Sequence, residues 1–288
     1  MTSRILEDLV GALESGELVP YLGPGALAGV RHRDTGAPLP GTGEELILAM
    51  NGGKPMAPRL MYEFPRAAMN LELKRGRAFV ERFLTGLYQP PVWTPSPLHG
   101  WLVSLGLPYL IDINRDTQLQ DAHAATPHTL IQGIARIGGT DYRFRLYAHD
   151  GVEYREIEPA AVDPDLPILF KPMGTPRPAP AYIASDADYV DYITELMGGF
   201  AVPDFVKRLR MGKQYLLLGL PLTRDTERMV LSDLIHGAGT PAGYALIAEP
   251  SAKERRFCQR LGIEIVEAEL AELLAVAGVE SGAMAETP

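Results

Sequence analysis

An α/β fold built on a doubly wound parallel sheet is the expectation for this sequence, and three observations carry it. Short apolar runs recur along the chain, each ending at glycine or a polar residue. Stretches with helical spacing separate them, as parallel strands require, because each parallel step needs a crossover. With 288 residues, 46% hydrophobic and 22% charged, the chain can bury a substantial core and is too apolar to be disordered throughout.

Each element has its own signature. Ile5, Leu6, Leu9, Val10 and Leu13 share one helix face, and Gly16 is placed to end that helix. Leu18–Leu22 reads as a buried strand emptying into a glycine loop, although Pro20 offers a ladder no N–H. Residues 29–43, rich in Gly, Pro and charge, read as a surface loop. Helical spacing returns over 66–88 through Leu73, Phe79, Val80, Phe83, Leu84 and Leu87, with a break at Gly76. A proline-rich link over 90–97 leads to a short helix at 98–105 and a strand at 109–113, whose end delivers Asn114, Arg115 and Asp116.

In the middle, Tyr142, Phe144, Leu146 and Ala148 alternate with Arg143, Arg145 and Tyr147, as in a half-exposed strand. It would pair with residues 152–157 across His149, Asp150 and Gly151. This hairpin is assigned to a small inserted subdomain at about 126–165 of a single domain spanning 1–288. Ile168–Lys171 is the next strand, followed by Pro172, Met173 and Gly174. Ser185 and Asp188 have capping-box spacing and open a helix to about Met197. The apolar strand at 215–218 stops at Gly219, before a helix expected to be capped by Thr223, with Asp225 and Glu227 in its first turn. Strands at 244–248 and Ile263–Val266 flank a helix opened by Ser251 and Glu254 and closed near Gly262. Residues 280–288 read as a frayed tail.

Composition narrows the function. A formal charge of −9, from 27 basic against 36 acidic side chains, disfavours general binding to nucleic acid or anionic lipid. No run offers the ~18 apolar residues that cross a bilayer. Glu7 and Asp8 interrupt the first apolar stretch, which does not read as a secretory signal, so a cytoplasmic protein is expected. The single Cys258 cannot form an internal disulfide and reads as a half-buried helix residue. His32, His99, His123, His128, His149 and His236 have neither H-E-x-x-H spacing nor a C-x-x-C partner, so zinc catalysis has no support. There is no G-x-S-x-G elbow and no P-loop.

In open parallel sheets ligands bind beyond the carboxyl ends of the strands, so the residues just after each strand are the site candidates. Gly23-Pro24-Gly25-Ala26-Leu27-Ala28 satisfies G-x-G-x-x-G/A, a pattern in which backbone N–H groups approach a pyrophosphate; a tight turn in a chain with 29 glycines is the plainer alternative. The loop over 29–43 departs from dehydrogenase grammar, where a helix and a second strand ending in an acidic residue follow at once.

The order of the strand ends resembles the sirtuin family, in particular its zinc-free bacterial sirtuin-like domains, many of which cleave NAD in antiphage defence. Residues 18–26 are similar to that family's first strand and Gly-Ala-Gly loop, with Pro24 for the alanine. Ile111-Asp112-Ile113-Asn114-Arg115-Asp116 resembles its Thr-Thr-Asn-Tyr-Asp segment, keeping the asparagine and the aspartate. Leu217 through Asp225 resembles its Gly-Tyr-Ser-Leu-x-Asp segment, with Pro221 for serine, and 183–189 resembles the lead into its Asp-Tyr helix.

The resemblance spans roughly 17–270. It implies a glycine loop at the phosphates, an asparagine and an aspartate near the nicotinamide ribose, and a histidine as catalytic base. Phe170-Lys171-Pro172-Met173-Gly174 falls where the family has Lys-Leu-His-Gly, so Met173 replaces that base, and a thioether has no proton to exchange. The four-thiolate zinc site of many sirtuins is excluded by the single cysteine.

The ligand expected is therefore NAD or ADP-ribose, without zinc. Gly23, Pro24, Gly25, Ala26, Arg115, Met173, Gly219, Leu220, Pro221 and Glu249 are the candidate binding residues, and Asn114, Asp116 and His99 the candidate catalytic ones. Each has a plainer alternative: a turn or cap for Asn114, a bond to local N–H groups for Asp116, a satisfied helix ring for His99, a solvated loop carboxylate for Glu249. Arg115 and Lys171 would bring positive charge to phosphate, or form an exposed surface pair. Asp225 reads as a helix N-terminal charge. The function expected is a nucleotide-binding sensor or partner module with a degenerate hydrolase site; the alternative is an active NAD glycohydrolase. Nothing marks an acyl-lysine channel, which leaves protein deacylation a distant third.

Overall fold

In the computed structural model, which describes residues 2–136 and 142–279, the chain forms eleven strands, twelve α-helices and two short 3-10 turns among those residues. The strands are β1 (Leu18–Leu22), β2 (Tyr109–Asp112), β3 (His128–Gly133), β4 (Phe144–His149), β5 (Tyr154–Glu156), β6 (Ile168–Lys171), β7 (Gly174–Thr175), β8 (Ala181–Tyr182), β9 (Gln214–Leu218), β10 (Gly243–Leu246) and β11 (Ile263–Val266). The helices are α1 (Thr2–Glu14), α2 (Gly43–Met50), α3 (Pro58–Met61), α4 (Phe64–Arg75), α5 (Arg77–Tyr88), α6 (Pro97–Ser104), α7 (Gln118–Ala122), α8 (Asp186–Met197), α9 (Asp204–Leu209), α10 (Asp225–Leu234), α11 (Ala252–Leu261) and α12 (Leu270–Val276).

Nine strands make one sheet in the order β11-β10-β9-β1-β2-β6-β3-β4-β5, and β7 pairs with β8 separately. From β11 to β3 every pairing is parallel; β4 and β5 extend that edge antiparallel. The sheet is buried on both faces because alternate residues of its apolar strands serve two cores. On β9, Tyr215 and Leu217 join one cluster with Tyr192 of α8, Leu231 of α10 and Phe257 of α11. Leu216 and Leu218 face the other way, with Leu6 and Leu13 of α1, Leu102 of α6 and Leu273 of α12. Each such leucine contributes roughly 1.5–3 kcal/mol by leaving water. Cys258 is 1% exposed and belongs to the first cluster.

Pro20 sits inside the sheet because of register. Successive residues of a parallel strand address alternate neighbours; Leu22 accepts from Ile113 on the β2 side, whereas Gly23 donates to Leu218 on the β9 side. The nitrogen of Pro20 therefore faces β2, whose pairing with β1 begins only at Tyr21, while all five residues of β1 pair with β9. The missing N–H costs the ladder little.

The described residues of the expected inserted subdomain at about 126–165 instead supply β3, β4 and β5 to the main sheet. The expected hairpin pairing is present, with Tyr147 opposite Glu156 and His149 opposite Tyr154. A separate cluster lies instead between β1 and β2, where α2, α4 and α5 pack Ile47, Ala67, Leu71 and Leu84 against Tyr182 and Ala184. The break at Gly76 separates α4 from α5 at φ 81°, a left-handed conformation that suits glycine. At the start of α8 the Asp188 carboxylate accepts from the N–H groups of Ala184 and Ser185 and pairs with Arg77 and Arg136. The expected tail at 280–288 lies outside the described residues. No helix among the described residues is long and apolar enough to cross a membrane.

Candidate functional site

The chain leaves β1 in two directions. Strands β2, β6 and β3 follow on one side, and β9, β10 and β11 on the other, so the turns after β1 and β9 diverge at a topological switch point. A cleft of about 340 Å3 opens there. Its floor comes from the strand ends, through Pro24, Ile113, Asn114, Arg115, Met173 and Pro221. Its walls come from residues 41–44, residues 61–65, Tyr88 and Tyr189, and from Thr223, Arg224, Thr226 and Glu227 at the start of α10.

Asn114 is held rigidly. Its Nδ2 donates to the Gly23 carbonyl at 2.8 Å and to Asp112 Oδ1 at 2.9 Å, while its backbone N–H reaches Asp112 Oδ1 at 2.9 Å. Both Nδ2 partners are pure acceptors, so the amide orientation is fixed and Oδ1 is the free end. Asp112, fully buried, is in turn paired with Lys171 Nζ at 2.6 Å, also fully buried, and His99 Nε2 lies 3.9 Å away. Burial alone would push the Asp112 carboxyl up; the Lys171 ammonium, with a smaller part from His99, overrides it and holds the group at about 2.

Lys171 is thus spent inside the floor, neither reaching phosphate nor forming a surface pair. His99 and Asp116 are 0% and 2% exposed and do not line the cleft. Asp116 uses one oxygen as a local turn acceptor from the Gln118 N–H at 2.7 Å, and burial raises its carboxyl above the usual range. Neither group lines the cleft, and His99 lies behind it against Asp112.

Arg115 is the charged element of the floor. Its Nε and Nη2 donate to the Ile183 carbonyl at 2.8 and 2.5 Å, and Nη2 also reaches the Tyr189 hydroxyl at 3.1 Å. It is 9% exposed, and among the described residues it forms no ion pair and Nη1 makes no hydrogen bond. A buried guanidinium with no carboxylate in contact at the floor of a cleft is suited to a carboxylate or phosphate.

The glycine loop works differently from the expected phosphate cradle. Gly23 N–H donates to Leu218, Pro24 has none, Gly25 N–H donates to Gly219 at 2.8 Å, and Ala26 N–H returns to Gly23 at 2.9 Å. Every donor of residues 23–26 is spent within the protein. The glycines serve close backbone packing: a Cβ on Gly25 would lie 2.7 Å from Gly219 Cα, and one on Gly219, at φ +64°, would lie 2.5 Å from the Gly25 carbonyl carbon. Gly219→Ala is therefore expected to lose more than about 1 kcal/mol of stability, read by urea unfolding; unchanged stability would mean the two loops can part freely.

Of the remaining candidates, Pro24 and Pro221 line the cleft, whereas Gly23, Gly25, Ala26, Gly219 and Leu220 support it from behind. Met173, 2% exposed, lines the floor with its side chain in the core beneath the sheet ends. Glu249 is exposed on the loop after β10 and lies outside the cleft. Arg224, rather than Thr223, is the N-cap residue of α10. Asp225 points outward and pairs with Arg228 and Lys253.

Sequence reasoning missed the contributions of Glu63, Arg224 and Glu227, and of the segment 41–44. The T-x-x-E spacing of Thr42 and Glu45, a capping box that opens α2, was the signal available for the last of these. Among the described residues no group of three or more His, Cys, Asp or Glu is arranged to hold a metal ion. The chain matches no family model, and no curated protein is significantly similar to it.

Proposed function

We propose that the chain is a sirtuin-like nucleotide-binding protein that holds NAD or ADP-ribose in the cleft beyond β1, β2, β6 and β9, and acts as a sensor or partner module. The observation that carries this reading is the pair at the end of β2: the free amide oxygen of Asn114 beside the Arg115 guanidinium, which contacts no carboxylate among the described residues. Arg115 suits a phosphate, and the Asn114 oxygen suits a ribose hydroxyl. Phosphate recognition here depends on Arg115 and Arg224, since the glycine loop has no donor to offer. Met173 lines the floor where the resembling family keeps its histidine, which favours binding over rapid cleavage.

Incubating the protein with NAD, then analysing released products and retained ligand by mass, separates the readings. Retained NAD or ADP-ribose with no more nicotinamide than a protein-free control is the expected result. Binding should weaken about two- to tenfold in Asn114→Ala, in line with roughly 0.5–1.5 kcal/mol for a hydrogen bond between neutral groups. Nicotinamide release abolished by Asn114→Ala would establish the glycohydrolase alternative, in which the same amide oxygen orients an attacking water. Neither retention nor release would remove both.

A further inference from the structure

Among the described residues lining the cleft, three are carboxylates, Glu44, Glu63 and Glu227, against two arginines, Arg115 and Arg224. The cleft is therefore slightly negative before any ligand arrives, yet a nucleotide diphosphate brings further negative charge. Something in the wall has to compensate.

Glu227 is the group built to do so. It lies in the first turn of α10, and its Oε2 is buried without a hydrogen-bond partner. The groups around it are Arg224 and Arg228 on its own helix, Glu63 at the start of α4, Tyr189 from α8 and Tyr21 from β1. Both cations have other engagements: Arg228 donates to the Leu222 carbonyl at 2.8 Å and pairs with Asp225, and the Arg224 guanidinium stacks 3.8 Å over the Tyr62 ring. Glu227 thus lines the cleft with one oxygen unpartnered, and its negative charge is favoured chiefly by the Arg224 backbone N–H and guanidinium.

We propose that Glu227 is a ligand-binding residue that takes up a proton from solvent when a nucleotide diphosphate enters the cleft, and donates the resulting O–H to it. This rests on the nucleotide reading above. Burial, reinforced by Glu63 and opposed by Arg224, already pushes the carboxyl up to about 7 in the free protein, so the proton is half in place at neutral pH. An adjacent anion raises the group further, which makes binding and protonation mutually favourable.

The test is calorimetric titration of ADP-ribose at pH 6 and pH 8, each in two buffers of different ionisation enthalpy. It uses the wild type, Glu227→Gln and Glu63→Gln. The wild type should bind about tenfold tighter at pH 6 than at pH 8, with net proton uptake at pH 8, because only about a tenth of the free protein carries the proton there. Glu227→Gln, a neutral donor at every pH, should bind equally at both and take up no proton; Glu63→Gln, which keeps Glu227, should retain the uptake. A pH-independent wild type, uptake that survives in Glu227→Gln, or uptake lost in Glu63→Gln overturns the proposal while leaving nucleotide binding standing. Failure of ADP-ribose to bind at either pH overturns both.

Discussion

Lys171→Met is expected to lower folding stability by about 3–5 kcal/mol at pH 7, the cost of leaving one member of a buried ion pair without its partner. Lys171 and Asp112 are both fully buried at 2.6 Å, and the His99 imidazole lies 3.9 Å from the carboxylate. The pH dependence identifies the mechanism. In the wild type the Asp112 carboxyl is depressed to about 2, so its contribution is present above the unfolded value of about 3.9 and is lost as pH falls through about 2. In the variant the sign reverses: the carboxyl, buried without a cation, rises above its unfolded value, and protonation favours the folded chain. Urea unfolding at pH 7 and pH 4.5 should therefore show a deficit that shrinks at the lower pH. An equal deficit at both would assign the loss to packing rather than charge.

Arg115→Met should weaken ADP-ribose binding about 30-fold or more. Truncating one partner of a desolvated charged contact costs roughly 2–5 kcal/mol, and each 1.4 kcal/mol is tenfold in affinity. Arg115→Lys keeps the charge but loses the forked contact with the Ile183 carbonyl, so an intermediate loss is expected. Circular dichroism and thermal unfolding separate the loss of that contact from loss of the ligand. Wild-type affinity in Arg115→Met would remove the arginine from the site.

These two residues also mark how far the sequence could be read. Strands with an unbroken apolar run, such as Tyr215 to Leu218, declare themselves because both faces of a parallel strand are buried. Helices with side-chain caps do too, as at Ser251 and Glu254. The strand β3 was hidden because its buried positions include the polar His128, Thr129 and Gln132; Gln132 donates to the distant Thr175 and Ala179 carbonyls, and His128 Nε2 meets the Tyr154 hydroxyl. Without it, the β4–β5 hairpin had no sheet to join and was read as an insertion.

At the site, Asn114, Arg115, Pro24, Pro221 and Met173 were legible from their places after strands, and the structure gathers them around one cleft. Lys171 and His99 were misjudged for one reason: whether a polar side chain faces ligand or turns into the floor depends on what stands opposite it, and Asp112 stands opposite both. The glycine loop was correctly located but given the wrong task, since the pattern records a need for small residues without saying whether a phosphate or another backbone comes close. Glu227 passed as an ordinary first-turn acid because burial by α4, α8 and β1 is a property of the fold and leaves no local trace.

The most direct measurement is a crystal structure determined with ADP-ribose at saturating concentration. The diphosphate is predicted within hydrogen-bonding distance of the Arg115 guanidinium, with a ribose hydroxyl against Asn114 Oδ1. An empty cleft, or ligand bound elsewhere on the molecule, would contradict it.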